Sequence, residues 1–213
     1  MARTYKKEMV IRVSNNEERV FFINQLERIK VVDLYLSAKP GYIRLRLAGS
    51  RENVKLAISE IKHIQKQTKG LLYPDRQGLF NYEIGFLFRE AGATIRVELL
   101  RKLLQHKGYK IDSSTSDFIK SDAPLQVIID YIHSLDSLIR ETDVFIKPKV
   151  VREQLAVLAV ISDLDLFTIL ERALESGMIR KDKKEEDRYS FAVNINNFLK
   201  AFVSNHIDDN ESI

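Results

Sequence analysis

Tyr42, Arg44 and Arg46 alternate with Ile43, Leu45 and Leu47 in the stretch YIRLRLAGS. In a β-strand, successive side chains point to opposite faces, so this spacing predicts three aliphatic residues in a core and a phenol with two guanidinium groups outside. Those outward groups suit one kind of chemistry. Tyrosine rings and guanidinium planes stack on unpaired bases, and arginine also pairs with phosphate. Strand parity adds Arg12 from MVIRV and Tyr35 from VVDLYLS to the same face, with Glu8 and Asp33 among them. A structural reading of the same residues stands beside this one: a solvent-facing strand needs polar side chains, Glu8 and Asp33 can pair with the arginines across strands, or another domain or subunit covers the face.

A second candidate lies in RVELLRKLLQHKG, residues 96–108. At helical spacing its outward stripe is Glu98, Arg101, Lys102, Gln105 and His106, with Lys107 and Lys110 following. If this is the second helix of a helix-turn-helix, it presents residue types that contact guanine, adenine edges and phosphate. Arg101 and Lys102 are the candidate phosphate contacts, and Glu98 weakens the case. The equivalent helix later in the chain, LDLFTILERALESG, shows Asp165, Glu171, Arg172 and Glu175 and is a poor reader of nucleic acid. In RKDKKEEDR, residues 180–188, acids nearly cancel bases, which reads as a solvated hairpin tip and not as a phosphate-binding wing.

Catalytic and metal chemistry finds little support. The four histidines, His63, His106, His133 and His206, have no partners at metal-site spacing. There is no P-loop, G-x-G-x-x-G or G-x-S-x-G, and Gly78, Gly85 and Gly92 are too widely spaced to cradle a phosphate. Asp163 and Asp165 could hold magnesium, but Asp163 at a helix junction is more simply a cap. Glu185 and Glu186 fall in the charged hairpin, where no pocket would raise a carboxyl pKa for acid catalysis. With no cysteine, disulfides, iron–sulfur clusters and thiolate zinc sites are excluded. The expectation is a non-enzymatic protein with no cofactor and no metal.

The elements that position the first candidate are strands at 9–13, 31–37 and 42–48, with helices between and after them. NEERVFFINQLERI carries Val20, Phe21, Ile23, Leu26 and Ile29 at near-helical spacing, Asn15 or Asn16 as a cap, and Glu17 and Glu18 in the first turn, where the helix dipole favours acids. Ser50 caps a second helix striped by Val54, Ala57, Ile58, Ile61 and Ile64, and Gly70 is expected to end it. Lys39-Pro40-Gly41 makes the turn between strands two and three. The order β-α-β-β-α, with LLY at 71–73 as a possible fourth strand, is that of a ferredoxin-like or RNA-recognition-motif-like sandwich. The aromatics such motifs carry on their first and third strands are missing; those positions read Arg12, Arg44 and Arg46.

Beyond residue 78 the pattern becomes helical. FNYEIGFLFREAG (80–92) and RVELLRKLLQHKG read as helices joined by a tight turn, YKIDSSTSDFIKSD as a hairpin, and LQVIIDYIHSLDSLIRE as a helix opened by Pro124. EQLAVLAVISD, LDLFTILERALESG, MIRKDKKEEDRYSFAV and NINNFLKAFVSN repeat that order. A shift of 70 residues lays Val97, Leu99, Leu100, Leu103 and Leu104 on Phe167, Ile169, Leu170, Ala173 and Leu174, and a shift of 71 lays Ile84 and Leu87 on Leu155 and Leu158, which suggests an internal repeat. The fold class is therefore α+β: a basic sandwich domain at 1–75, helix-turn-helix (winged-helix-like) units at 78–146 and 147–204, and a polar tail at 205–213. Linkers are expected at Tyr73–Gly78 and Lys147–Lys149.

Bulk properties fit this picture. In 213 residues, 45% are hydrophobic and 30% charged, as in a folded, soluble chain. No apolar run approaches a membrane span, and MARTYKKEMV lacks the apolar segment of a secretory signal, so a cytoplasmic protein without membrane association is expected. The net charge of +4 is uneven: residues 1–75 carry 15 Lys and Arg against 8 Asp and Glu, while the rest is close to neutral. A polyanion would bind the first third. The absence of Cys and Trp beside so many charges leans towards a thermophile.

KKEMVIRV, IRLRLAGSRENVKLAISEI and LLRKLLQHKGYKI together resemble an archaeal family catalogued as a domain of unknown function. The resemblance spans most of the chain and implies an archaeal cytosolic protein, without adding an activity, a cofactor or a functional residue. The reading that results is a nucleic-acid-binding protein, RNA favoured over DNA, with the ribosome or the transcription machinery as candidate partners. Arg12, Tyr35, Tyr42, Arg44, Arg46, Arg101 and Lys102 are its site residues. The alternatives are a protein-interaction adaptor of a transcription or translation complex, and a dimeric DNA-binding regulator; the oligomeric state is not legible in the sequence.

Overall fold

A computed structural model describes residues 4–112, 117–182 and 188–206. The chain is α+β, with helices and small antiparallel sheets, and divides into two compact units, Met1–Tyr82 and Glu83–Ile213. Among the described residues no helix is long and apolar enough to cross a membrane. Residues 1–3, 113–116, 183–187 and 207–213, on which the expected charged hairpin tip and polar tail fall, lie outside the described residues.

The first unit runs β1 (Tyr5–Arg12), α1 (Asn16–Leu26), β2 (Asp33–Lys39), β3 (Tyr42–Gly49) and α2 (Arg51–Leu72), with the antiparallel sheet ordered β1-β3-β2. Alternation decides its sidedness. Ile11, Ile43, Leu45 and Leu47 form a core with Phe22 and Leu26 of α1 and with Val54, Ala57, Ile61 and Ile64 of α2. Each of these large side chains contributes about 1.5–3 kcal/mol on burial. Both helices thus cover one face of the sheet, and the other is left open.

The helix starts follow the sequence. Asn15 caps α1 by accepting the Glu18 N–H at 2.8 Å, while buried Glu18 reaches back to the Ser14 N–H at 2.7 Å and accepts the Tyr73 hydroxyl at 3.0 Å. Ser50 caps α2 through the Asn53 N–H at 3.1 Å. The end of α2 differs from expectation. Residues 71–72, read as part of a fourth strand, are the last helical turn, because Ile61, Ile64, Thr68 and Leu71 continue one buried stripe at helical spacing. Gly70 does not end the helix. It permits close approach: a Cβ there would lie 3.0 Å from the Asn81 carbonyl oxygen.

The connection from Tyr73 to Leu79 is an ordered turn in which the Asp75 carboxylate accepts the N–H groups of Gln77 and Leu79. Residues 80–83, read as the start of a helix, form strand β4 (Phe80–Glu83). The helix follows it as α3 (Ile84–Ala91), and Gly92 at φ 59° provides the left-handed C-cap. The second unit continues with α4 (Val97–His106), β5 (Ile111–Asp112), β6 (Phe118–Ser121), α5 (Leu125–Glu141), α6 (Lys149–Ser162), α7 (Leu166–Glu175), β7 (Ile179–Lys181), β8 (Tyr189–Phe191) and α8 (Ile195–His206). Two helices, a two-stranded hairpin and a helix therefore occur twice in that order. Asp163 is a cap, but at a helix end: it is the C-cap of α6, in the left-handed region at φ 54°, while Asp165 caps the start of α7 by accepting the Thr168 N–H at 3.0 Å.

Helix α6 is buried from Val151 to Ala159, including Arg152, Glu153 and Gln154. These charges are paired. Arg152 donates to the Ile146 carbonyl at 2.8 Å and contacts Asp143 at 2.5 Å, while Glu153 accepts from Arg96 at 3.0 Å with the Lys149 ammonium at 4.0 Å. Pairing of this kind is what makes ionised groups tolerable in an interior.

Candidate nucleic-acid interface

The register of the first sheet brings the predicted residues of strands one to three into adjacent rows. Glu8, Arg46 and Tyr35 lie side by side across β1, β3 and β2; Val10, Arg44 and Ser37 form the next row; Arg12, Tyr42 and Lys39 form the third. Rows on one face are spaced by two residues, about 6.8 Å, and strands by about 4.8 Å. Arg12, Tyr35, Tyr42, Arg44 and Arg46 therefore share one open face. Tyr35 is 64% exposed, Tyr42 is half-buried, and the three arginines are exposed.

Within this face Arg46 is held. Its Nε and Nη2 both lie 2.8 Å from Glu8 Oε1, one of the cross-strand pairs expected from the sequence. Asp33 is instead opposite Ala48. The side chains of Arg12 and Arg44 make no ion pair or hydrogen bond among the described residues. Lys6, Lys7, Glu8 and Arg46 line a shallow depression of about 300 Å³ at one end of the face. The resulting surface is flat and positive, with one carboxylate engaged and two guanidinium groups open to solvent.

Arg101 and Lys102 are placed differently. They lie on α4 of the second unit, and both are half-buried. Arg101 directs its Nη2 to the Phe118 carbonyl at 3.5 Å, against β6. Lys107, the C-cap of α4, donates to the Ile161 carbonyl at 3.3 Å, which satisfies a carbonyl at the end of α6. His106 keeps much of its surface exposed, yet desolvation and the ammonium groups of Lys200 and Lys102 hold its pKa below the ordinary histidine value. The basic stripe of α4 is thus partly committed to packing.

Compared with protein families, the sequence matches the one described as uncharacterized protein conserved in archaea (DUF2067) over residues 11–200. The chain belongs to this family. Membership agrees with the resemblance carried by KKEMVIRV, IRLRLAGSRENVKLAISEI and LLRKLLQHKGYKI. Searches of curated proteins and of solved structures found no match.

For this DUF2067 member the sheet face extends beyond the residues that strand parity first collected. Lys39 lies beside Tyr42 and Lys6 lies opposite Ala48 on the same side. The sequence places Lys39 in the Lys-Pro-Gly turn and Lys6 ahead of a strand expected to start at Met9. Counting parity outward from Tyr35 and from Arg12 would have found both.

Proposed function

We propose that this chain is a non-enzymatic nucleic-acid-binding protein, with RNA favoured over DNA, whose primary contact is the open face of the β1-β3-β2 sheet. The observation that carries the reading is the assembly of Arg12, Arg44, Arg46, Tyr35 and Tyr42 on one exposed face of the most basic third of the chain. The unit around them is a ferredoxin-like or RNA-recognition-motif-like sandwich without its fourth strand; the sheet order and the helices on one side support that description. The following helix-helix-hairpin-helix segments are winged-helix-like units, of which the first adds Lys102 and, less directly, Arg101.

On such a face tyrosine rings stack on splayed bases, while Arg12 and Arg44 neutralise phosphates and release counterions. The test is fluorescence anisotropy of nuclease-treated protein with single-stranded RNA, duplex RNA and duplex DNA across a salt series. If three phosphates of a single strand are engaged, log affinity falls against log salt with a slope of about −2. Absence of binding to all three probes at low salt would reject the reading.

A protein-interaction adaptor is the second reading, favoured by one feature of the second unit. Phe145 and Phe167 meet edge to face at 5.9 Å while remaining 54% and 53% exposed, with Val144 at 75%. An apolar cluster open to water suits a protein partner. A stoichiometric, salt-insensitive complex lost on Phe167→Ser would support it.

A further inference from the structure

The first sheet ends at β2, and among the described residues no strand pairs with its outer edge. Every residue of β2 except Leu34 is exposed. Even the core-facing side is left bare: Leu36 is 40% exposed, whereas its β3 partner Leu45 is fully buried. Beside this edge a groove of about 460 Å³ is lined chiefly by Ile23, Leu26, Ile29, Val32, Leu34 and Leu36. A row of unpaired backbone groups flanked by apolar surface is a template for another strand.

The sequence of β2 selects the strand that fits. Laid antiparallel to itself about Leu36, DLYLSAK sets Asp33 opposite Lys39, Leu34 opposite Ala38, Tyr35 opposite Ser37 and Leu36 opposite Leu36. Every pair keeps open-face residues with open-face residues and core-side residues with core-side residues. A slip by one position would oppose the two classes along the whole strand. A slip by two would lose both Asp33–Lys39 pairs.

We propose that the occupant of this edge is a second copy of the chain, with β2 pairing antiparallel to the partner's β2 about a twofold axis through Leu36. The contact is isologous: Asp33 meets the partner's Lys39, Lys39 meets the partner's Asp33, and the two Leu36 side chains close the apolar groove. The opposite edge argues for this choice by contrast. In the two longest in-phase antiparallel registers, β1 would set Glu8 against Glu8 or Lys6 against Arg12, and like charges directly opposite are unfavourable. The product is a six-stranded sheet ordered β1-β3-β2-β2-β3-β1, with both open faces continuous. The dimer stands whether or not that face binds nucleic acid, because its evidence is the edge and not the arginines.

The test uses the full chain and reads its mass by light scattering across a concentration series. A concentration-dependent dimer is expected. Asp33→Lys and Lys39→Asp should each weaken it roughly tenfold, because two exposed attractive pairs become repulsive, and the double exchange D33K/K39D should restore it. Leu36→Glu should abolish it, with circular dichroism reporting whether the monomer remains folded. A covalent readout is independent of affinity. The chain has no cysteine, and directly opposed strand residues have Cα atoms roughly 4.5–5.5 Å apart, within disulfide reach. Diamide should therefore cross-link Leu36→Cys and leave Val10→Cys, exposed on β1, uncross-linked. A monomeric mass at all concentrations with no preferential cross-linking of Leu36→Cys overturns the proposal, and so does a dimer unaffected by Asp33→Lys and Leu36→Glu.

Discussion

Glu8 and Arg46 face one another across β1 and β3, with two guanidinium nitrogens 2.8 Å from a single carboxylate oxygen. Their side chains are 61% (Arg46) and 53% (Glu8) exposed, so solvent screens the pair and it contributes at most about 0–1 kcal/mol to stability. On the proposed nucleic-acid reading, the pair matters more for binding than for stability. An engaged arginine must leave its carboxylate before it can take a phosphate.

Glu8→Gln should therefore tighten binding to single-stranded RNA, by roughly three- to fivefold at low salt, and steepen the salt dependence. The thermal midpoint should barely move. Anisotropy titration and a melt of the same preparation measure both. Unchanged affinity in a protein that otherwise binds RNA would place Arg46 outside the contact.

Replacing Arg12, Arg44 and Arg46 together by Ala removes the three guanidinium groups of the face without touching the core beneath. Affinity should fall at least about tenfold and the log–log salt slope should flatten by about 2. The variant should keep its circular dichroism spectrum. Lys102→Ala, on α4, should have the smaller effect on both readings, which separates the sheet face from the helix as the primary site.

Glu153 is 2% exposed, and Arg96 is its closest cation. Arg96→Ala leaves that carboxylate with the Lys149 ammonium at 4.0 Å, and should destabilise the protein by roughly 1–3 kcal/mol, less than for a fully buried pair because Arg96 is half in solvent. Arg96→Ala with Glu153→Leu should recover part of the loss, since no buried charge remains to be compensated. Urea unfolding of the two variants measures the difference.

His106 carries a lowered pKa, from desolvation first and then from Lys200 and Lys102. The folded protein takes up this proton at lower pH than the unfolded chain does. Its share of stability is therefore complete above about pH 6.5 and is lost as pH falls through the folded value. His106→Gln should remove that segment from a plot of unfolding free energy against pH between about pH 8 and about pH 5. An unchanged pH profile would show that the ring is fully solvated in solution.

Local pattern accounts for much of what was legible in the chain. Alternation in YIRLRLAGS sorts aliphatic from cationic side chains because strand geometry is fixed residue by residue, and the same rule carries Arg12 and Tyr35 to the outer face. Asn15 and Ser50 cap their helices for equally local reasons. Segments whose length or ending depends on a distant neighbour depart from the local pattern. Gly70 looked like a terminator, but it marks where the Asn81 backbone passes close to α2. Residues 80–83 looked helical because the apolar run continues into α3.

The sequence by itself determined the family, the α+β class, the sidedness of the first sheet and the concentration of positive charge in the first third. The last three follow from residue type and short-range spacing, and the family from the resemblance of whole segments. Only the tertiary structure decided that Glu8 engages Arg46 while Arg12 and Arg44 stay open, that Arg101 turns to the Phe118 carbonyl, and that Arg152, Glu153 and Gln154 lie inside the second unit. It also decided that the outer edge of β2 carries no strand of its own chain among the described residues. The physical reason is common to all four. Periodicity fixes the direction in which a side chain points from its own element, whereas the partner it meets there is set by packing between residues far apart in the chain.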